Sequence, residues 1–288
     1  MTSNKKPLFA FFGTSLVAVH VLEALEIHGY LPALVVTAPD SKQGRGLVLA
    51  PSPARAWALE HGIDVLTPTS LQEESFRSEL SNTDWDVFLV ASYAKLIPKD
   101  ILEMPRRGAL NVHPSLLPKF RGPSPILSAI LENERATGVS IMQMVPVMDA
   151  GPIVAQAKVE LEEVAWPPRG SVFEELLAKE GGSLLAEVLQ PWIAKEITPE
   201  VQDESRATYT KKFTSEDARI DLKGDAHTQL LKIRAFDKNP RAYFLTPEGK
   251  RVIITEAEIK DAVLELLRVI PEGKKEMSYS DFIRVKNK

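Results

Sequence analysis

Leu8-Phe9-Ala10-Phe11-Phe12, followed at once by Gly13-Thr14-Ser15, sets the fold class of this chain. Five apolar residues bounded by a turn signal read as a buried strand. Leu16 to Leu25 then reads as a helix. The same alternation recurs outward from this point. Leu31 to Val36, Asp86 to Val90 and Ala109 to His113 read as strands, and Val139 to Met144 extends towards Asp149. Pro51 to His61 reads as a helix with Gly62 as its stop. Ser70-Leu71-Gln72-Glu73 and Ser171-Val172-Phe173-Glu174 read as capping boxes, the second opening a long amphipathic helix towards Trp192. Strands alternating with helices predict an α/β domain with a mostly parallel, Rossmann-like sheet.

The polar segment Lys195 to Thr208 reads as a linker. Beyond it the pattern changes. Ala226 to Phe236 looks helical, and Ala242 to Leu245, Arg251 to Ile254 and Ala262 to Leu267 read as strands, with Pro247-Glu248-Gly249-Lys250 as a turn. The expected organisation is therefore residues 1–194, a linker over 195–208, and a small second domain over 209–288.

The 288 residues are 44% hydrophobic and 26% charged, which excludes a mainly disordered chain, a fibrous repeat and a membrane protein. No apolar run approaches the roughly 18–20 residues of a membrane helix. The stretch Met1 to Pro7 carries lysines but no signal-length apolar run, so a cytoplasmic location is expected. Cysteine is absent, which removes disulfides, thiol nucleophiles and Cys-ligated metal. The five histidines show no metal-ligand spacing, and no metal is expected. Residues 201–288 carry 18 Lys and Arg against 15 Asp and Glu, a balance of +3, while the remainder carries 17 against 24, or −7. That asymmetry hints at an anionic partner for the basic end, and equally fits ordinary solvated surface.

The turn at Gly13-Thr14-Ser15 is not G-x-G-x-x-G, and no G-x-x-x-x-G-K-[ST] occurs, which disfavours a dinucleotide or ATP. The densest chemistry lies in Asn111-Val112-His113-Pro114-Ser115-Leu116-Leu117-Pro118. Asn111 and His113 share a strand face, and Pro114 ends the strand. Both therefore sit near a strand's carboxyl end, where α/β proteins bind ligands. Asn supplies a neutral N–H donor, and His a donor or acceptor near neutral pH. A carboxylate completes an acyl-transfer site, and Asp149, before Ala150-Gly151-Pro152, is the candidate. Asn and His beside a proline also occur as plain turn chemistry, so the residues alone leave both readings open.

Asn111 to Pro118, Arg121-Gly122, Thr137 to Met144 and Met148-Asp149-Ala150-Gly151-Pro152 together resemble the folate-dependent formyltransferases. Within them the chain looks most like the methionyl-tRNA formyltransferase family. Pro39-Asp40, Gly44-Arg45-Gly46 and Pro51-Ser52-Pro53 resemble its tRNA-entering loop. Val201 to Glu204, Thr208-Tyr209, Ala218 to Asp221 and Ile233 to Phe236 resemble its linker and C-terminal domain. The resemblance implies 10-formyltetrahydrofolate as formyl donor and initiator methionyl-tRNA as acceptor, with no metal. It implies that Asn111 binds the formyl oxygen, that His113 stabilises that oxygen or shuttles a proton, and that Asp149 orients His113 and moves the amine's proton. Ser115, Leu116, Leu117 and Pro118 match the folate-contacting loop. Tyr93 and Leu96, in Ser92 to Pro98, match the loop around the pterin; Leu116, Leu117 and Tyr93 also suit plain core packing. Arg45 is the candidate tRNA contact, with Lys42 adding charge. Arg219, Arg234, Lys211, Lys212, Lys274 and Lys275 are candidates for a phosphate-facing surface, and a monomer is expected.

The sequence departs from the family at Pro123-Ser124-Pro125, at the apolar Leu47-Val48-Leu49, at Leu222 and at Asp237-Lys238-Asn239-Pro240. The C-terminal domain, an OB-like barrel in the family, shows only three strands here. Three strands cannot close a barrel, so a reduced OB-like domain with an exposed edge is expected. The apolar loop and the reduced domain leave an alternative: formyl transfer to a small amine such as an amino sugar nucleotide. A folate- or RNA-binding protein without activity is a third reading, opposed by intact Asn111, His113 and Asp149. In the transferase readings the attacking amine must be neutral and Asp149 ionised, so the rate should rise through the amine's pKa and then level off.

Overall fold

A computed structural model of the chain describes residues 6–43, 48–162 and 165–286. It divides into two compact units. The first takes in Met1–Arg121, Gly138–Val159 and Glu175–Thr208, and the second Gly122–Thr137, Glu160–Glu174 and Tyr209–Lys288. Residues 195–208, expected as a linker, thus pack with the first unit.

The elements up to the long helix are, in order, β1 (Phe9–Gly13), α1 (Leu16–Ile27), β2 (Leu34–Val36), β3 (Ser41–Gln43), β4 (Val48–Ala50), α2 (Pro53–Glu60), β5 (Asp64–Leu66), α3 (Glu74–Ser81), β6 (Val87–Ala91), α4 (Lys99–Leu102), β7 (Ala109–His113), α5 (Pro125–Leu131), β8 (Thr137–Gln143), β9 (Ile153–Val159) and α6 (Gly170–Ile193). Seven strands form one sheet in the order β5-β2-β1-β6-β7-β8-β9. The first five are parallel, and β8 runs antiparallel to β7. The period of two along β1 sorts its side chains into two layers. Phe9 and Phe11 pack with α1, α2 and α6, whereas Ala10 and Phe12 pack with Phe76 and Leu80 of α3 and Ile101 of α4. Both faces are covered, so β1 and β6 are buried throughout and read as unbroken apolar runs. Gly181 and Gly182 let α6 approach closely: a Cβ would lie 2.4 Å from Val112 at the first and 2.6 Å from Ala24 at the second. The strand order reverses between β1 and β6, which opens a crevice at their carboxyl ends.

Neither expected capping box caps its helix. The Glu73 carboxylate does accept from Ser70 N at 2.7 Å, and Ser70 Oγ accepts from Gln72 N at 3.2 Å. Those bonds close a turn upstream of α3, which begins at Glu74 without a side-chain cap. Ser171 lies inside α6, and its backbone N–H and hydroxyl both donate to the Asp237 carboxylate. The cap therefore comes from a residue 66 positions along the chain, a partner that local sequence does not reveal.

In the second unit, residues 209–225 lead to α7 (Ala226–Ala235), β10 (Tyr243–Leu245), β11 (Arg251–Lys260), β12 (Val263–Pro271), β13 (Met277–Ser278) and α8 (Tyr279–Lys286). The sheet order is β10-β11-β12-β13, antiparallel throughout. The expected three strands are corrected to four. The fourth has two residues, too short for an alternation signal, and β11 runs on to Lys260 past a register shift near Glu256. The sheet is open. Residues beside Tyr243 blunt one edge, with Ile220 N donating to Tyr243 O at 2.7 Å. Ile220, Ile233, Phe236, Phe244, Val252, Ile254 and Val269 form its core, with Leu127 and Leu131 of α5 packed against it.

Candidate active site

Strand β7 lies between β6 and β8, with Asn111 opposite Val90 and Met142. Leu110 and Val112 face the α1/α6 layer, so Asn111 and His113 share the other face, as their spacing predicts. Asn111 is half-buried, and its side chain makes no hydrogen bond among the described residues. After Pro114 the chain turns sharply, with Ser115 N donating to His113 O at 2.9 Å.

The turn is held from β8 and β9. Ser140 Oγ donates to Ser115 O at 2.6 Å and accepts from Leu117 N at 3.1 Å and Gln156 Nε2 at 2.8 Å. Ser140 is fully buried, and these three bonds fill its capacity of one donor and two acceptors. Ser115 Oγ donates to Lys119 O at 2.6 Å, which closes the loop on itself. Of the expected folate-loop residues, Ser115 and Leu117 are buried, while Leu116 and Pro118 are half-buried.

His113 is buried, at 4% exposure. Its Nε2 lies 3.0 Å from the Phe120 carbonyl, which can only accept, so Nε2 carries the proton. Its Nδ1 lies 3.8 Å from Asp149 Oδ2. Burial pushes the imidazole's pKa below its ordinary value; the Asp149 charge and the Phe120 bond oppose that shift. A neutral His113 therefore turns a bare Nδ1 lone pair towards Asp149. Both ring nitrogens thus face protein groups.

Two backbone conformations set this pair. Phe120 has φ +59° and Asp149 has φ +50°, in the left-handed region that side chains disfavour. Two residues to which the sequence assigns no site role, Thr208 and Gln202, hold them. Thr208 Oγ1 accepts from Phe120 N at 2.8 Å, and Thr208 O accepts from Arg121 N at 2.9 Å. Gln202 Nε2 donates to Asp149 O at 2.8 Å and to Gly151 O at 2.6 Å. Gln202 Oε1 accepts from Arg121 Nε at 3.0 Å and Nη2 at 2.8 Å. Arg121 is 1% exposed and also pairs with the Glu204 carboxylate. A polar segment rich in Asp, Glu and Ser gives no sign that Gln202 within it is buried.

The crevice at the switch point is lined by the expected pterin loop. Thr14 N donates to Ser92 O at 3.2 Å, and Ser15 Oγ and Ser92 Oγ lie 2.7 Å apart. A Cβ on Gly13 would lie 2.8 Å from Ala91 O, so only glycine permits this approach of β1 to β6. Tyr93 packs edge-on against Phe12, its hydroxyl buried without a partner, and burial pushes its pKa up to about 12. Leu96 is 73% exposed. Lys42 is exposed on β3, paired across the hairpin with Leu49, and Arg45 lies outside the described residues. A cleft of about 690 Å³ beside Gly108, lined by Arg107, Met144 and Trp192, is at the opposite end of β7 from His113. Among the described residues no helix is long and apolar enough to cross a membrane.

Residues 5–166 match the Formyl transferase family. The chain is 43% identical to the methionyl-tRNA formyltransferase of Chloroflexus aggregans over 81% of this chain and 74% of that one. It is 35% identical to that of Methylococcus capsulatus over 95% of each. Its fold also matches the X-ray structure of a sugar N-formyltransferase from Shewanella sp FDAARGOS_354, with TM-score 0.65 and 18% identity over 88% of this chain and 99% of that one. Fold alone thus spans different formyltransferases, and sequence separates them: the chain belongs to the formyl transferases and, among these, to the methionyl-tRNA formyltransferase family.

Proposed function

We propose that this protein transfers the formyl group of 10-formyltetrahydrofolate to the α-amine of methionine carried by initiator tRNA. The observation that carries the reading is the approach of Asp149 to His113 at the carboxyl end of β7, on the strand face that also bears Asn111, in a chain of this family. The residues present suit a folate. Half-buried Leu116 and exposed Leu96 offer apolar surface, and the Asn111 amide offers an unused donor. When bound, the folate supplies a one-carbon unit at the formyl oxidation level.

The Asn111 N–H donates to the formyl oxygen as negative charge develops there. The attacking amine must lose a proton, and the Asp149 carboxylate takes it. His113, protonated at Nε2 and bare at Nδ1, shares that proton with Asp149 and returns it to the departing nitrogen. The Phe120 carbonyl fixes this tautomer. Lys42 and Arg45 supply positive charge to the loop that meets the tRNA.

Single-turnover assays with 10-formyltetrahydrofolate test the reading. Methionyl-initiator tRNA should be formylated, while methionyl-elongator tRNA and free methionine should not. Formyl transfer to an amino sugar nucleotide, with none to the tRNA, would move the assignment to the small-amine alternative.

A further inference from the structure

The His113–Asp149 pair is built by residues far away in sequence. Gln202 has its amide orientation dictated by chemistry, because two guanidinium N–H groups of Arg121 meet Oε1 and leave Nε2 facing the other way. Its two amide hydrogens then reach the carbonyls on both sides of Ala150. Such a grip fixes the peptide plane that follows Asp149 and the turn beyond it, and so constrains the direction of its carboxylate. Thr208 does the same for Phe120, whose carbonyl holds His113 Nε2. The stretch is itself anchored. Glu200 and Ile153 exchange backbone hydrogen bonds at 2.7 Å, and the Asp203 carboxylate accepts from Ser205 N at 3.0 Å to start a 3-10 turn over Glu204–Arg206. Burying Arg121 is costly unless its donors are met, and Gln202 and Glu204 meet them.

We propose that residues 200–208 are a brace for the reacting pair, with Gln202 the positioning residue for Asp149 and Thr208 the positioning residue for His113 through Phe120. Neither touches a substrate. The proposal rests on the reading of His113 and Asp149 as proton-handling groups.

Gln202→Glu is the informative variant. It keeps the acceptor for Arg121 in nearly the same shape and sets an oxygen against two carbonyl oxygens. The proposal expects kcat to fall on the order of 10–100-fold, since misplacement of a reacting group by about 1 Å has that effect. KM for both substrates should stay within about threefold of wild type, while the melting temperature should fall by several degrees as two carbonyls lose their donor. In an Asp149→Asn background, which should itself be slow, Gln202→Glu should cost under about twofold, because its effect runs through Asp149. An unchanged kcat in Q202E, or an equal loss in both backgrounds, overturns the brace. An Asp149→Asn enzyme at the wild-type rate overturns the site reading instead. Should Q202E fail to fold, Thr208 carries the test. Thr208→Val removes the acceptor for Phe120 N and should slow turnover, and Thr208→Ser, which keeps the oxygen, should restore it. T208V at the wild-type rate overturns the proposal.

Discussion

Asn111 carries an amide that no described residue engages, and a donor left free in a half-buried position is what a developing oxyanion requires. Asn111→Ala is expected to lower the single-turnover rate by about 10²–10³, the usual cost of one such donor, with binding of the folate little changed. A loss under about threefold would remove Asn111 from the chemistry. His113 makes a prediction about stability. Burial holds its pKa below the ordinary 6.5, so the folded chain keeps it neutral where the unfolded chain protonates it. Below about pH 6.5 the unfolded state therefore binds more protons, and stability falls with pH by up to about 1.4 kcal/mol per unit from this group. His113→Gln removes that contribution. Urea denaturation at pH 7.5 and 5.5 should show a smaller acid loss in the variant, and parallel losses in both proteins would count against a neutral, buried His113.

At the scale of elements, loops are held by single side chains. Ser140→Ala leaves Ser115 O without its donor and Leu117 N without its acceptor in a buried setting, each costing on the order of 1–3 kcal/mol. Urea denaturation should show at least 1 kcal/mol lost, and a neutral result would mean that the turn after β7 is held otherwise. Asp237→Ala uncaps α6 and should cost about 1 kcal/mol by the same measurement. These cases also show what was legible in the sequence. Phe9–Gly13 and Val87–Ala91 are buried on both faces, so their apolar runs announce strands without any partner being known. Asn111, His113 and Asp149 stand out as candidates in the sequence because a strand end and a family pattern coincide. Ser171 was misread because its motif is local, whereas its partner Asp237 is brought to it only by folding. Gln202 and Thr208 read as linker for the same reason. Polarity in sequence says nothing about whether a polar group finds a buried partner. The two-residue β13 falls below the length at which alternation can be read.

For the whole molecule, the proposed function raises the question of how a chain of formal charge −4 would hold a polyanion. The balance of +3 over residues 201–288 is too small to act as a diffuse field, so such binding would depend on particular cations. The fold reduces the candidates. Lys211 is engaged by Asp217, whose carboxyl the Lys211 ammonium and the Thr214 bonds hold well below the usual carboxylate range. Arg219 lies 3.4 Å from Glu216, and Arg234 is half-buried on α7 with its Nε enclosed. Lys212, Lys274 and Lys275 remain exposed with no ion pair among the described residues. If they face tRNA phosphates, each contributes counterion release, about 0.9 in the slope of log affinity against log salt for duplex contacts. Replacing Lys274 and Lys275 together by Ala should therefore flatten that slope by about 2 and weaken charged initiator and elongator tRNA alike, because phosphate contacts position without discriminating. The ratio of formylation rates between the two tRNAs should stay unchanged. A variant that keeps its full salt slope would mean that these lysines lie off the tRNA path, and a variant that loses the ratio would place discrimination in the second unit rather than in the hairpin of β3 and β4.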